Sequence, residues 1–133
     1  MIRPPLIGIR HVALYVTDLD AAELFWTSTM GYEVEWRPDP DNVYLRGGSD
    51  NLALHRGRPA GAHEGAGVLD HIGIAVGRPD DVDSWATYLA GRGVVLKTQP
   101  KTHRDGSRSI YVRGPEDLTI QIIFHSPMST PAS

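Results

Sequence analysis

The sequence predicts an α+β fold: two βαβββ modules that form a cupped mixed sheet with helices on its outer face. Three observations carry this. The chain repeats itself, so that when it is slid to place His11 on His71, Val16 falls on Val76, Asp20 on Asp80, Thr27 on Thr87, Gly31 on Gly91 and Val34 on Val94. Each copy opens on a short apolar stretch with period-two alternation, the mark of a half-buried strand. Each then passes through an acidic turn into a segment with helical spacing, then a glycine and a further strand.

The elements follow in order. In "HVALYV" (His11–Val16), Val12, Leu14 and Val16 share the face that the helix covers, and His11, Ala13 and Tyr15 share the other. Asp18 or Asp20 caps the first helix, which presents Ala22, Phe25 and Trp26 to the sheet and ends at Gly31. "VYLRGG" (Val43–Gly48) and "NLALH" (Asn51–His55) supply the next strands. In the latter Leu52 and Leu54 turn inward, while Asn51, Ala53 and His55 turn away. The stretch "GRPAGAHEGAG", residues 57–67, reads as a flexible linker. Its glycines are a weak phosphate-loop signal, because no helix-opening pattern follows.

The second copy restarts with "DHIGIAV". Ile72, Ile74 and Val76 face the helix, and His71, Gly73 and Ala75 lie opposite. Asp80 or Asp81 caps a helix whose Val82, Trp85, Ala86 and Leu89 form one apolar stripe, and Gly91 stops it before a strand near Val94. "IYVRGP" (Ile110–Pro115) and "TIQII" (Thr119–Ile123) match the closing strands of the first copy. Ile120, Ile122 and Phe124 are buried; Thr119, Gln121 and Ile123 turn away, as do Tyr111 and Arg113. Within a single domain over residues 1–133, the modules are therefore residues 8–56 and 68–125, with a flexible tail from 126 to 133. A repeat this short rarely buries its hydrophobic face alone, so the halves, or halves of two chains, must pack together.

Composition narrows the function classes. The 133 residues are 41% hydrophobic and 22% charged, with a formal net charge of -3, and the pI is near 6.0. Such a chain carries no global footprint for nucleic acid or an anionic membrane. There are no cysteines, which excludes disulfides, thiolate metal ligands and a Cys nucleophile. The N-terminus has two prolines and no long apolar region, and no segment approaches membrane-spanning length. The expectation is a cytoplasmic protein.

If the sheet curls, the second faces of its strands line one concave surface bearing His11, His71, Gln121 and Tyr111 among small residues. Convergent polar groups beside small ones describe a pocket better than a core. A lone strand histidine is usually a hydrogen-bonded structural residue; the same position written twice changes that balance. His55, two residues beyond Ala53, is a candidate acid or base, or a substitute metal ligand, although a histidine near a strand end is more often solvated. The loop "KTQPKTHRDGSR" (Lys97–Arg108) reads by default as a solvated loop. Its sharper reading is a basic lid drawing an anionic substrate, with His103 and the nearby Arg113 as substrate contacts.

The stretches "RHVALYVTDLDAAELFWTSTMGYEV", "DHIGIAV" and "RDGSRSIYVRGPEDLTIQII" resemble the vicinal oxygen chelate superfamily, which holds glyoxalase I, extradiol dioxygenases, methylmalonyl-CoA epimerase, fosfomycin-resistance enzymes and bleomycin-resistance proteins. The resemblance covers the chain to about residue 124. It implies that His11, His71 and Gln121 take metal-ligand positions. Ala53 stands where glyoxalase I has Glu and the epimerase has Gln, Gln121 where most members carry Glu, and the Asp-Pro-x-Gly turn becomes Gly114-Pro115-Glu116-Asp117.

These departures shape the chemistry. Two imidazoles and a carboxylate hold Fe, Mn, Zn or Ni with open positions for substrate oxygens; an amide in place of the carboxylate keeps an oxygen donor and loses the charge. Glyoxalase-type proton transfer needs a carboxylate base, and both candidate positions lack one. The leading expectation is a metal-assisted lyase, isomerase or dioxygenase acting on a small oxygen-rich molecule. In it His11, His71 and Gln121 are ligands, Tyr111 and His55 are acid–base candidates, and Asn51, Arg113 and His103 contact substrate. No organic cofactor is expected. The alternative is a metal-free cluster in a protein that sequesters a small molecule. Resemblance to small single-chain members also implies a homodimer.

Overall fold

The computed structural model describes residues 7, 9–57, 69, 71–126 and 128–129. Most of the expected linker, together with Asp70 and parts of the tail, lies outside the described residues. The chain divides into two compact units, Met1–Ala62 and His63–Ser133.

The first unit runs β1 (His11–Val16), α1 (Leu19–Leu24), a π-helical turn (Phe25–Thr29), β2 (Glu33–Asp39), β3 (Asn42–Arg46) and β4 (Asn51–Arg56). Its sheet has the order β1-β4-β3-β2, with β1 parallel to β4 and the other pairs antiparallel. The second repeats the plan with β5 (Ile72–Ala75), α2 (Pro79–Gly91), β6 (Lys101–Thr102), β7 (Arg108–Arg113) and β8 (Thr119–Phe124), in the order β5-β8-β7-β6. The expected pair of βαβββ modules is observed.

The alternation read from the sequence places the cores. Val43, Leu45, Leu52 and Leu54 are buried in the first unit beneath Leu19, Ala22 and Trp26; Ile110, Val112, Ile120 and Ile122 are buried in the second beneath Val82, Ala86 and Leu89. Asp18 caps α1 by accepting the Ala21 N–H at 3.0 Å. The helix then widens: the Met30 N–H donates to the Phe25 carbonyl at 3.0 Å, a π-type bond, and Trp26 ends only 1% exposed. Gly31, at φ 85°, leaves the helix as expected.

Three features differ from the sequence expectation. In α2 it is Gly93, at φ 81°, that takes the left-handed turn; Gly91 is the last helical residue. Trp85 sits half-buried at the rim of the apolar stripe, edge-on to Tyr88 at 5.3 Å. The strand expected near Val94 is reduced to a single bridge between Leu96 and Val112. The paired edge comes later, as the two-residue β6, because Pro100 has no N–H to extend a ladder.

Candidate functional site

Register sets the open face of the first module. In the parallel β1–β4 pair, His11 lies beside Asn51, Ala13 beside Ala53 and Tyr15 beside His55. In the next pair Ala53 lies opposite Tyr44. The β2–β3 ladder is irregular: Val34 pairs with Leu45 and Trp36 with Tyr44, so Glu35 and Trp36 together oppose one residue. Such a bulge bends the strand and re-aims a side chain that strict alternation would send to the other face. Glu35 thereby reaches Asn51, accepting from its Nδ2 at 2.8 Å.

That bond fixes more than the amide. With Asn51 Nδ2 donating to a carboxylate, Asn51 Oδ1 must accept, and it lies 2.7 Å from His11 Nδ1. His11 is therefore protonated at Nδ1, and in the neutral ring Nε2 carries the lone pair. The same relay recurs at the hairpin. Asn42 Nδ2 donates to both Asp39 oxygens at 2.9 and 3.0 Å, and Asn42 Oδ1 accepts from His55 Nδ1 at 2.6 Å. The Asn42 amide, followed by the Asp41 N–H, holds the Asp39 carboxyl below the usual aspartate range. Each histidine is thus aligned by a carboxylate acting through an asparagine.

Around these relays runs a row of rings. Trp36 stacks on Tyr44 with centroids 5.3 Å apart and planes at 19°. Tyr44 stands edge-on to His55 at 6.0 Å, and Tyr15 tilts against His55 at 5.8 Å. Trp36 is 60% and Tyr15 54% exposed. Ala53, expected on this face, is fully buried there, a floor between larger side chains.

In the second module His71 precedes β5 and stands edge-on to Tyr111 at 5.3 Å. Tyr111 pairs in register with Gln121, and Gln121 pairs with Gly73 on its other side. A Cβ on Gly73 would lie 3.8 Å from Gln121 Oε1, so the amide oxygen arches over the glycine. His71, Tyr111 and Gln121 therefore belong to one neighbourhood. The basic segment is a hairpin rather than an open loop. His103 Nε2 lies 3.0 Å from the Ser109 hydroxyl, Arg108 grips Asp83 with two bonds of 2.8 and 2.6 Å, and Lys97 donates to Thr119 Oγ1. Arg113 is exposed, 3.4 Å from Asp117.

A divalent metal, which the resemblance implies, can be tested against these donors. His11 Nε2 is an aligned imidazole donor, and Gln121 Oε1 is a neutral oxygen donor held at a fixed register position. Ala53 contributes nothing. Among the described residues no three His, Cys, Asp or Glu side chains group as a metal site. Within the second module His71 and Gln121 offer an imidazole and an amide oxygen, donors a divalent ion accepts in kind, without a carboxylate charge. Sequence reading passed over Glu35, Asn42 and Asp39. The signal was present in "EVEWRPDPDN", where alternation fails at Glu35-Trp36 and the turn is rich in Asp and Asn.

Comparison with known proteins agrees with this architecture. Residues 8–122 match the family described as the Glyoxalase/Bleomycin resistance protein/Dioxygenase superfamily. No curated protein matches the chain. A lactoylglutathione lyase from Agrobacterium tumefaciens superposes with TM-score 0.77 at 23% identity, over 96% of this chain and 100% of that one. A glyoxalase/bleomycin resistance protein/dioxygenase from Nocardioides superposes with TM-score 0.72 at 25% identity, over 100% and 91%. One so described from Alicyclobacillus acidocaldarius gives 0.70 at 19%, over 93% and 96%. With the duplicated module, the strand-opening histidines and a match spanning most of its length, the chain belongs to the glyoxalase/bleomycin resistance protein/dioxygenase superfamily.

Proposed function

We propose that the protein is a metal-assisted enzyme of this superfamily acting on a small, oxygen-rich molecule, with His11, His71 and Gln121 as donors to Fe, Mn, Zn or Ni. The observation that supports it most is the Glu35–Asn51–His11 relay. An acceptor at a ligand histidine's second nitrogen, here the Asn51 oxygen backed by Glu35, is the usual way a metal-binding imidazole is oriented and made more basic. When bound, the ion would act as a Lewis acid on paired substrate oxygens. His55, aligned by Asn42 and Asp39, is the better oriented acid–base candidate. Tyr111 is the second, beside His71. Asn51 serves His11 first, and Arg113 and His103 remain candidate substrate contacts in this reading. Glyoxalase I chemistry is disfavoured, because Ala53 and Gln121 replace its carboxylates.

The test is Gln121→Glu. If the ion binds, a carboxylate at this position restores the missing charge, and affinity should rise by about 1–3 kcal/mol, the scale separating a charge-assisted contact from a neutral one. Zn(II), Mn(II) and Fe(II) are titrated into both proteins, following binding and melting temperature. Measurable binding by the native chain, tightened in the variant, supports the reading. No binding by the native chain at millimolar metal overturns it.

A second reading, capture of a small molecule without metal, is favoured by one observation: the exposed row of rings on the first module. In either reading we expect a cytoplasmic homodimer.

A further inference from the structure

We propose that the open face of the first module's sheet binds a planar, cationic nitrogen heteroaromatic. The inference rests on the second reading above and needs no metal. Trp36 and Tyr44 form the stacking wall, Ala53 the floor, and Tyr15 with His55 the far side. Trp36 and Tyr15 expose more than half their surface, and exposed apolar rings gathered into one patch mark an interaction site. A flat ring system fits a row of side chains that are themselves flat and spread over four adjacent strands.

The charge of the ligand follows from what borders the rings. Glu35 bonds the amide of Asn51 and Asp39 bonds the amide of Asn42. Among the described residues neither carboxylate is paired with Lys or Arg, whereas Glu23, Glu33 and Asp41 all are. Both carboxylates border the ring row. The acceptors among these groups are the ring faces, the carboxylate oxygens and, in a neutral His55 whose Nδ1–H is held by Asn42, its Nε2. A cation over an indole face is the favourable pairing, and an N–H on its edge meets His55. An anion would face two unneutralised carboxylates.

Proflavine, a planar diaminoacridine cation, is the probe, with 1-anilinonaphthalene-8-sulfonate as the planar anion. Both are titrated into the full chain with and without EDTA, reading dye and tryptophan fluorescence. We expect saturable proflavine binding that weakens with added salt. It should fall about tenfold in Trp36→Ala, stay within about threefold of native in Trp36→Phe, which keeps a stacking ring, and weaken in Glu35→Gln. Trp26, buried in the core, should not respond. Proflavine binding that is absent, unchanged in Trp36→Ala, no tighter than the sulfonate, or abolished by EDTA overturns the proposal. Metal titration of separate, EDTA-free samples reports independently on the metal reading. Saturable sulfonate binding without proflavine binding would leave capture standing while overturning the cationic ligand, so each can fail separately.

Discussion

At the scale of single residues, Asp50 ties the first module together. One carboxylate oxygen accepts from the Tyr32 hydroxyl at 2.7 Å and the other from the Gly47 N–H at 2.8 Å. Burial, then the bond to Asp50, pushes the Tyr32 hydroxyl far above its usual range. Pinned at its tip, the Tyr32 ring presses against Gly47, where a Cβ would stand 2.5 Å from Cε1. The ring also packs edge-on to Trp26 at 5.1 Å, so it cannot swing away. Gly47→Ala should destabilise the protein by about 2–3 kcal/mol, the upper part of the range for overpacking. The shift in urea midpoint at constant slope measures it. In a Tyr32→Leu background the same substitution should cost much less, because the obstruction is gone; an equal cost in both backgrounds would place the strain elsewhere.

At the scale of elements, the repeat, the alternation and the helix faces were legible because they follow from side-chain period and burial. Val12, Leu14, Leu52, Leu54, Ile120 and Ile122 sit on the faces the pattern assigns. What stayed hidden was local backbone irregularity. The bulge at Glu35-Trp36 breaks the period on which face assignment rests, so one of the carboxylates that align the site's histidines was assigned to no role. The π-turn after Leu24 and the shift of the helix stop from Gly91 to Gly93 are of the same kind. The turn between β7 and β8 shows the reverse, a sequence departure with a backbone consequence. Glu116 and Asp117 both adopt left-handed conformations, at φ 57° and 64°, and Asp117 stands where the resemblance expects glycine. A non-glycine residue there is strained, and the exposed contact to Arg113 at 3.4 Å offsets little. Asp117→Gly should therefore stabilise by about 0.5–1 kcal/mol, while Gly31→Ala, at φ 85°, should destabilise by at least as much. Paired denaturation curves decide it; a neutral Asp117→Gly would mean that the turn is unstrained.

At the scale of the whole molecule, what matters is how much each module leaves open. Each sheet has four strands, so β1 and β2 are edges of one and β5 and β6 edges of the other. β5 is four residues long and β6 two. Short strands blunt an edge, but β1 and β2 are six and seven residues, and among the described strands each has a neighbour on one side only. Leu24, on α1, adds a side chain 62% exposed. Modules of about 60 residues also bury a smaller fraction of their surface than larger domains do. We expect a second copy of the chain to cover these edges. If folding is linked to self-association, the melting temperature must rise with protein concentration, since the partner binds only the folded state. Sedimentation equilibrium at micromolar concentration should return twice the mass of 14.6 kDa. The melting temperature should climb steadily between about 1 and 100 μM, as mass action requires. A monomeric mass with a concentration-independent melt would mean that one chain's two modules are stable without a second copy.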